Sequence, residues 1–167
     1  MKRAASQNPY RAVIQRFNRT GVRYVVVGMS GINHYAKSPA EAFGTMDYDF
    51  FVEPTLANVE KAVRCLQDLG FDVGTNTGAW KEAELRRVVR DQRAVLATTP
   101  DGLMVELLLK ISGYRFFEMV EDAATFSMGG VPVKVGRLNK LLRAKKLAGR
   151  PKDRRFLRRY QDLLEEE

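Results

Sequence analysis

The stretch of sequence that decides the fold is GTMDYDFFV, residues 44–52. Aromatic and β-branched residues dominate it, and a glycine and a proline flank it, so it predicts a strand over residues 46–53. Side chains at i and i+2 of a strand point to one face, so Asp47 and Asp49 project together, roughly 6.5–7 Å apart along the strand. The aromatic residue between them points to the opposite face.

Two carboxylates this close on a half-buried strand are costly, because desolvation and mutual repulsion both disfavour the doubly ionised state. A divalent cation removes that cost, and Mg²⁺ prefers carboxylate oxygens, water and substrate phosphates as ligands. Two Mg²⁺ ions about 3.5–4 Å apart would clamp the attacking and leaving oxygens of a phosphoryl displacement. The alternative is a solvated pair or a turn cap, which is common for an isolated Asp-x-Asp.

A second strand precedes the carboxylates. RYVVVG, residues 23–28, is a short β-branched run that ends at a glycine, as a buried strand does. Gly28, Met29 and Ser30 then begin a turn whose backbone N–H groups could hold phosphate. We therefore predict that these three residues bind a nucleotide.

The remaining sequence predicts further helices and strands around this pair. Apolar residues at helical spacing predict a first helix that ends at Gly21 and another that ends at Gly70. Strands are predicted at residues 71–73, 84–90, 94–98, 103–109, 126–128 and 131–135, with hairpin signals at Asp101-Gly102 and Gly129-Gly130. Two helices finish the chain, at residues 138–148 and 153–165. This order predicts an α/β (α+β) fold, a mixed sheet flanked by helices, in one domain over residues 1–167.

A glycine-containing turn followed by Asp-hydrophobic-Asp on the next strand resembles the signature of the nucleotidyltransferase superfamily that includes DNA polymerase beta. The resemblance is closest to small stand-alone members, including the AbiEii-type toxins of toxin–antitoxin systems, and covers the chain from Tyr24 to about Leu164. It is carried by Val27-Gly28, by Asp47-Tyr48-Asp49 and by residues 141–153. It implies a nucleotidyltransferase-like sheet, bound Mg²⁺ and a nucleoside triphosphate substrate.

The superfamily also implies a third carboxylate on a later strand. Glu106 is the one charge within the apolar run of residues 103–109, and such a glutamate is costly unless it is paired or bound to metal. The alternative is an edge-strand glutamate that faces solvent. Asp101 is a weaker candidate because Asp-Gly is adequately explained as a turn.

The basic charge of the chain is concentrated in its C-terminal helical segment, residues 138–165. Lys145 falls on the apolar face of the first of these helices, where an inward lysine needs an anion or must extend past the core edge. We predict that it binds a nucleotide phosphate, as the resemblance also implies. Asp153 beside a helix start is explained as a cap, and the resemblance leaves a functional role as the alternative. Arginines at 154, 155, 158 and 159 form a stripe, which is usually a solvated face; because the stripe is all of one sign, the alternative is an RNA or DNA contact.

Composition limits the remaining possibilities. The net charge of +8 favours polyanionic partners, nucleic acid first. One cysteine, no signal peptide and no long apolar run predict a cytoplasmic protein without a membrane partner. One histidine, no zinc-ligand spacing and no Walker or Rossmann fingerprint argue against histidine-dependent hydrolases, zinc sites and the common dinucleotide folds.

Three hypotheses remain open. The first is an enzyme that moves a nucleotidyl group from a nucleoside triphosphate to an RNA end (a tRNA, for example), a protein hydroxyl or a small molecule, with Asp47, Asp49 and Glu106 as ligands of two Mg²⁺ ions. The second is a catalytically inactive module that binds nucleic acid or a protein, because Gly28-Met29 replaces the family's usual Gly-Gly or Gly-Ser. The third is a toxin–antitoxin component with an antitoxin-like protein partner.

Overall fold

The structure is a computed structural model that describes residues 8–36 and 47–165, with side chains to residue 161. The predicted start of the carboxylate strand at residue 46 lies outside these residues. The described strands are β1 (Tyr24–Val27), β2 (Asp47–Val52), β3 (Asp72–Thr75), β4 (Gly78–Ala79), β5 (Val95–Thr98), β6 (Met104–Leu108), β7 (Ala124–Met128) and β8 (Val131–Val135).

The helices of the described residues are α1 (Arg11–Thr20), α2 (Gly28–Asn33), α3 (Leu56–Asp68), α4 (Glu84–Asp91), α5 (Phe116–Val120), α6 (Leu138–Ala148) and α7 (Pro151–Glu165). Glycines end α1 and α6 in the left-handed conformation, at Gly21 and Gly149, as expected where a carbonyl of the last turn needs a donor. No helix among the described residues is long and apolar enough to cross a membrane.

The strands form one mixed sheet in the order β4–β3–β5–β6–β2–β1–β8–β7, which confirms the predicted fold class. Both predicted hairpins are present, because β5 pairs antiparallel with β6 and β7 with β8. The central strand β2 runs antiparallel to β1 and parallel to β6. That parallel pairing joins two segments that are far apart in the chain, and it builds the candidate site.

The two faces of β2 have different neighbours. Phe50 packs edge-on against Phe17 of α1, with ring centroids 5.0 Å apart, so this face is closed by an aromatic core. On the other face Phe51 meets Phe116 of α5, with centroids 5.6 Å apart. Asp47 and Asp49 share that second face with Phe51, since they are separated by even numbers of residues.

One predicted strand is wrong. Residues 84–90 belong to the helix α4, in which Val88 is fully buried. Leu85, Val88 and Val89 recur at i, i+3 and i+4, which is helical spacing, while arginines occupy the exposed positions between them. The strand was predicted because the two valines at 88 and 89 are β-branched. Burial of one face of the helix outweighs their weak preference for a strand.

Candidate active site

Three carboxylates meet on one face of the sheet where β2 and β6 run side by side. Asp49 lies opposite Glu106 in the parallel register, and Asp47 lies two residues before Asp49. One carboxylate oxygen from each lies within 4.8 Å of the others. The structure therefore brings together the three residues that the sequence suggested as metal ligands, although Glu106 lies 57 positions after Asp49 in the chain.

Asp49 is the most constrained of the three. Burial, together with the charges of Glu106 and Asp47, raises the pKa of Asp49 to about 7. Its Oδ1 atom is buried and has no hydrogen-bond partner among the residues that the structure describes, which is rare for a carboxylate oxygen. An unpartnered oxygen amid converging negative charge suits a divalent cation, so the donor set fits Mg²⁺.

Gly28 forms the other wall of this cluster. Its φ is +64°, and a Cβ atom added there would lie 2.4 Å from Oδ2 of Asp49. A glycine is thus required twice, by the left-handed backbone conformation and by the contact with the carboxylate. The backbone of β1 and the start of α2 can approach the aspartate because this residue has no side chain.

Ser30 holds the turn against β2. Its hydroxyl donates a hydrogen bond to the carbonyl oxygen of Val27 (2.9 Å) and accepts one from the N–H of Asp49 (3.0 Å). The residue is only 3% exposed, and Gly28 and Met29 border the cavity above it. Of the three residues predicted to bind nucleotide, the first two therefore border the cavity, while Ser30 fixes the position of Asp49 from beneath.

A cavity of about 660 Å³ lies over the carboxylates, between the sheet, α6 and α7. Its floor is acidic, and its wall includes apolar side chains such as Leu141 and Phe156. Its exposed rim is basic, since Lys110, Arg150 and Lys152 border the cavity and are accessible to solvent. An acidic floor with a basic rim matches a ligand whose metal-bearing phosphates lie deep and whose remaining negative charge faces outward.

Lys145 enters this cavity from α6 and is held there by a buried carboxylate. Its Nζ lies 3.2 Å from Oδ1 of Asp153, which is 1% exposed, and 5.3 Å from the centroid of the Phe156 ring. Arg150 donates a hydrogen bond from Nε to the second carboxylate oxygen, at 2.7 Å. Asp153 therefore does more than the predicted helix cap, because it orients two cations on the cavity wall.

Asp153→Asn is expected to lower the free energy of unfolding by about 1–3 kcal/mol at pH 7, because two charge-assisted bonds lose their anion. Burial opposes ionisation, but the hydrogen bonds from Arg150 and Lys145 and their charges hold the pKa of Asp153 below its ordinary value. The carboxylate thus stabilises the fold above about pH 4, and this contribution disappears at lower pH. Thermal unfolding of the wild type and of Asp153→Asn at pH 7 and pH 3 measures this contribution to stability.

The matched control is Asp122→Asn. That carboxylate also pairs with a lysine, Lys140, at 2.9 Å, but it is largely exposed. A surface pair contributes little, so this variant should unfold at nearly the wild-type temperature at both pH values. Equal losses in the two variants would contradict the role given to Asp153.

Sequence reasoning did not single out Lys110, Arg150 or Lys152 as residues of the site. Lys110 lies two residues after the end of β6, Arg150 directly precedes α7, and Lys152 is the second residue of that helix. Their exposure at the cavity rim depends on how α6 and α7 pack over the sheet, which no local pattern encodes. The available signal was their position next to predicted site residues, since Lys110 lies four residues after Glu106.

The chain matches the model of a known protein family. The model of a family described as "Nucleotidyl transferase of unknown function (DUF2204)" matches residues 6–167. No curated protein matches the sequence significantly. The matched region contains all three carboxylates, the Gly28 turn, Lys145 and Asp153.

Proposed function

The chain belongs to this family of nucleotidyl transferases, and on that premise we propose that it moves a nucleotidyl group from a nucleoside triphosphate to a hydroxyl acceptor with the help of two Mg²⁺ ions. The observation that carries the proposal is the cluster of Asp47, Asp49 and Glu106, whose oxygens lie within 4.8 Å of one another on the floor of the cavity.

Each part of the cavity would have a distinct task in binding the triphosphate. The carboxylates would hold the cations, and the N–H groups at the start of α2 would receive phosphate oxygens, because the first N–H groups of a helix lack partners within it. Lys145, oriented by Asp153, would neutralise charge on the phosphates. Met29 is compatible with this task, since it borders the cavity and packs, partly buried, against the core.

The reaction would be a displacement at the α-phosphorus. The acceptor oxygen forms a bond to that phosphorus, the bond from phosphorus to the bridging oxygen of the β-phosphate breaks, and pyrophosphate leaves, while the hydroxyl proton passes to water. Bound Mg²⁺ would supply Lewis-acid stabilisation of the phosphoryl oxygens. The protein's contribution is to fix geometry and charge, so catalysis would be mostly positioning and electrostatics.

The direct test is calorimetric titration of the wild-type protein with each of the four ribonucleoside triphosphates, with Mg²⁺ and with EDTA. We expect at least one triphosphate to bind only with Mg²⁺, and the Asp47→Asn variant to lose that binding. A folded protein that binds no triphosphate in either condition would exclude the enzyme and favour the catalytically inactive module.

The third ligand is tested by a pair of variants. Glu106→Gln is expected to weaken Mg²⁺-dependent triphosphate binding at least tenfold, because one of the three clustered carboxylates loses its charge. Asp101→Asn should leave binding unchanged, since Asp101 lies in the β5–β6 turn, where it accepts a hydrogen bond from Thr99. Calorimetry compares the affinity of the two variants for the triphosphate, under the conditions in which the wild-type protein binds it. If Asp101→Asn alone loses triphosphate binding, Asp101 rather than Glu106 is the third metal ligand.

A role as the toxin of a toxin–antitoxin pair is also proposed, on the sequence resemblance. Growth arrest that depends on Asp47 and is relieved by a co-encoded protein would support it. Growth unaffected by expression of the active enzyme would contradict it.

A further inference from the structure

A buried hydrogen bond lies on the opposite face of the sheet from the carboxylates. Tyr48 stands between Asp47 and Asp49 on β2, so its side chain points to that opposite face, where it is 4% exposed. Its hydroxyl is hydrogen-bonded to Nε2 of His34, at 2.6 Å. His34 directly follows α2, so this bond joins the end of that helix to the strand that bears two of the three carboxylates.

The helix α2 therefore contacts β2 on both faces. At its first residue, Gly28, it lies against the carboxylate of Asp49, where an added Cβ would be 2.4 Å from Oδ2. Its Ser30 accepts a hydrogen bond from the N–H of Asp49 at 3.0 Å. The bond from His34 to Tyr48 lies four residues further on, which is about 6 Å along a helix. Two attachments this far apart fix the direction of α2, whereas the Ser30 bond alone would fix only its position.

The direction of α2 needs such outside support, because an isolated helix of six residues is not stable by its own hydrogen bonds. The His34 ring can supply this support because neighbouring rings hold it in place. Its centroid lies 5.4 Å from that of the Phe126 ring of β7, and it meets the Tyr48 ring edge-on. Burial lowers the pKa of the His34 imidazole, so the ring is neutral at pH 7 and adds no buried charge to this face.

Tyr48 also connects α2 to the strand of the third carboxylate. The Tyr10 ring stacks on the Tyr48 ring, with centroids 4.9 Å apart. The Tyr10 hydroxyl accepts a hydrogen bond from the N–H of Met104 at 3.1 Å. Met104 begins β6, two residues before Glu106. Tyr48 is thus the point at which the three segments of the site, α2, β2 and β6, are joined from behind.

We propose that His34 and Tyr48 are positioning residues of the candidate active site: their hydrogen bond sets the direction of α2 and thereby holds the Gly28–Met29 turn against the carboxylates. The inference rests on the proposed nucleotidyl transfer. Neither residue is among the described residues that line the cavity, so both act through the backbone that they join. Since such a site tolerates displacements of only about 0.5 Å, a small tilt of α2 would weaken triphosphate binding.

A purely structural bond is the alternative, because a buried tyrosine usually finds a partner for its hydroxyl. Tyr24 provides the matched control. It is also 4% exposed, and its hydroxyl donates a hydrogen bond to Oδ1 of Asn18 at 2.8 Å, but it begins β1, four residues before Gly28. Tyr24→Phe and Tyr48→Phe thus each delete one buried hydroxyl, the first away from the site and the second behind it.

Calorimetry at saturating Mg²⁺ compares the triphosphate affinity of these two variants, and thermal unfolding compares their stability. We expect similar falls in unfolding temperature, but a loss of affinity of about tenfold in Tyr48→Phe alone. Mg²⁺ without nucleotide should raise the unfolding temperature of Tyr48→Phe as much as that of the wild type, because the carboxylates on β2 and β6 remain in place. A purely structural bond would lower stability and leave the affinity of the folded protein unchanged.

Variants of His34 test whether the hydrogen bond itself is responsible. His34→Phe keeps a ring beside Phe126 but removes Nε2, so it should weaken binding as much as Tyr48→Phe does. The double variant should lose no more affinity than either single one. His34→Gln offers an amide that can donate or accept a hydrogen bond at a similar reach, and it should recover most of the wild-type affinity.

Equal triphosphate affinity in Tyr48→Phe and Tyr24→Phe would overturn the inference, as would additive losses in the double variant or a His34→Gln variant as weak as His34→Phe. Loss of the Mg²⁺ effect in Tyr48→Phe would do the same, because the bond would then support the carboxylates and not the turn. In each of these cases the wild type still binds the triphosphate, so the proposed function stands. A wild-type protein that binds no triphosphate would instead refute the proposed function, and this inference with it.

Discussion

Asp49→Asn is expected to abolish Mg²⁺-dependent triphosphate binding and, in the absence of metal, to make the protein more stable than the wild type. Both effects have one cause. The half-buried Asp49 faces negative charge from Glu106 and Asp47, and its Oδ1 has no hydrogen-bond partner within residues 8–36 and 47–165. The wild-type fold thus retains an unfavourable charge that Lys145 offsets only in part and that a bound cation would offset further. The asparagine removes both the charge and the cation's ligand.

The sign of the pH dependence follows from the raised pKa of Asp49, about 7 in the folded protein against an ordinary value near 4. Below about pH 4 the group is protonated in both states and costs nothing. As pH rises towards 7 the unfolded chain releases its proton first, so the metal-free wild type loses stability. A shift of this size corresponds to about 2–4 kcal/mol above pH 7, which is the gain expected for the variant.

Thermal unfolding in EDTA at pH 5, 7 and 8.5 measures this difference, and a second series with Mg²⁺ should stabilise wild type but not the variant. Asp72→Asn is the control, because Asp72 is an exposed aspartate on β3 and should change neither series. If Asp49→Asn is less stable than wild type in EDTA at pH 8.5, repulsion among the three carboxylates does not destabilise the metal-free wild-type protein.

The local part of the site could be predicted from the sequence. The alternation in residues 47–52 placed Asp47 and Asp49 on one face, and the helix α6 has the predicted bounds, since glycine ends it. These inferences need only the period of a strand or the cap of a helix. The structure follows them because local pattern and tertiary packing agree in these segments.

The long-range part could not be predicted in the same way. The parallel register that sets Glu106 beside Asp49 is fixed by the burial of Phe50 and Leu107, which pair across β2 and β6 and are both fully buried. A shift by one residue would turn every side chain of β6 to the other face. The sequence could name Glu106 as a candidate, but its partner depends on this packing. The same holds for Asp153, whose two cations reach it only because α6 and α7 pack together.

Gly28→Ala is expected to produce the second large effect. The added Cβ would lie 2.4 Å from Oδ2 of Asp49, in a backbone conformation with φ of +64°. Real Cβ atoms do not approach an oxygen so closely, so either the turn or the carboxylate must move, and the N–H of Asp49 is tied to that turn through Ser30. Catalytic geometry tolerates displacements of only about 0.5 Å. We therefore expect loss of Mg²⁺-dependent triphosphate binding together with a destabilisation of about 2–4 kcal/mol.

Gly21→Ala separates the cost of the left-handed backbone conformation from the effect of the contact with Asp49. Gly21 has a similar φ of +75°, but a Cβ atom there would meet nothing within 4 Å, so this variant carries only the cost of a left-handed alanine, about 1–2 kcal/mol. Denaturant unfolding and calorimetry with Mg²⁺ and the triphosphate compare the two proteins. If Gly28→Ala binds as tightly as Gly21→Ala, the turn does not position Asp49, and the bond from Ser30 to the strand would be structural alone. Loss of binding in Gly28→Ala alone would mean that close approach of the turn to the carboxylate, rather than backbone conformation in general, makes the site.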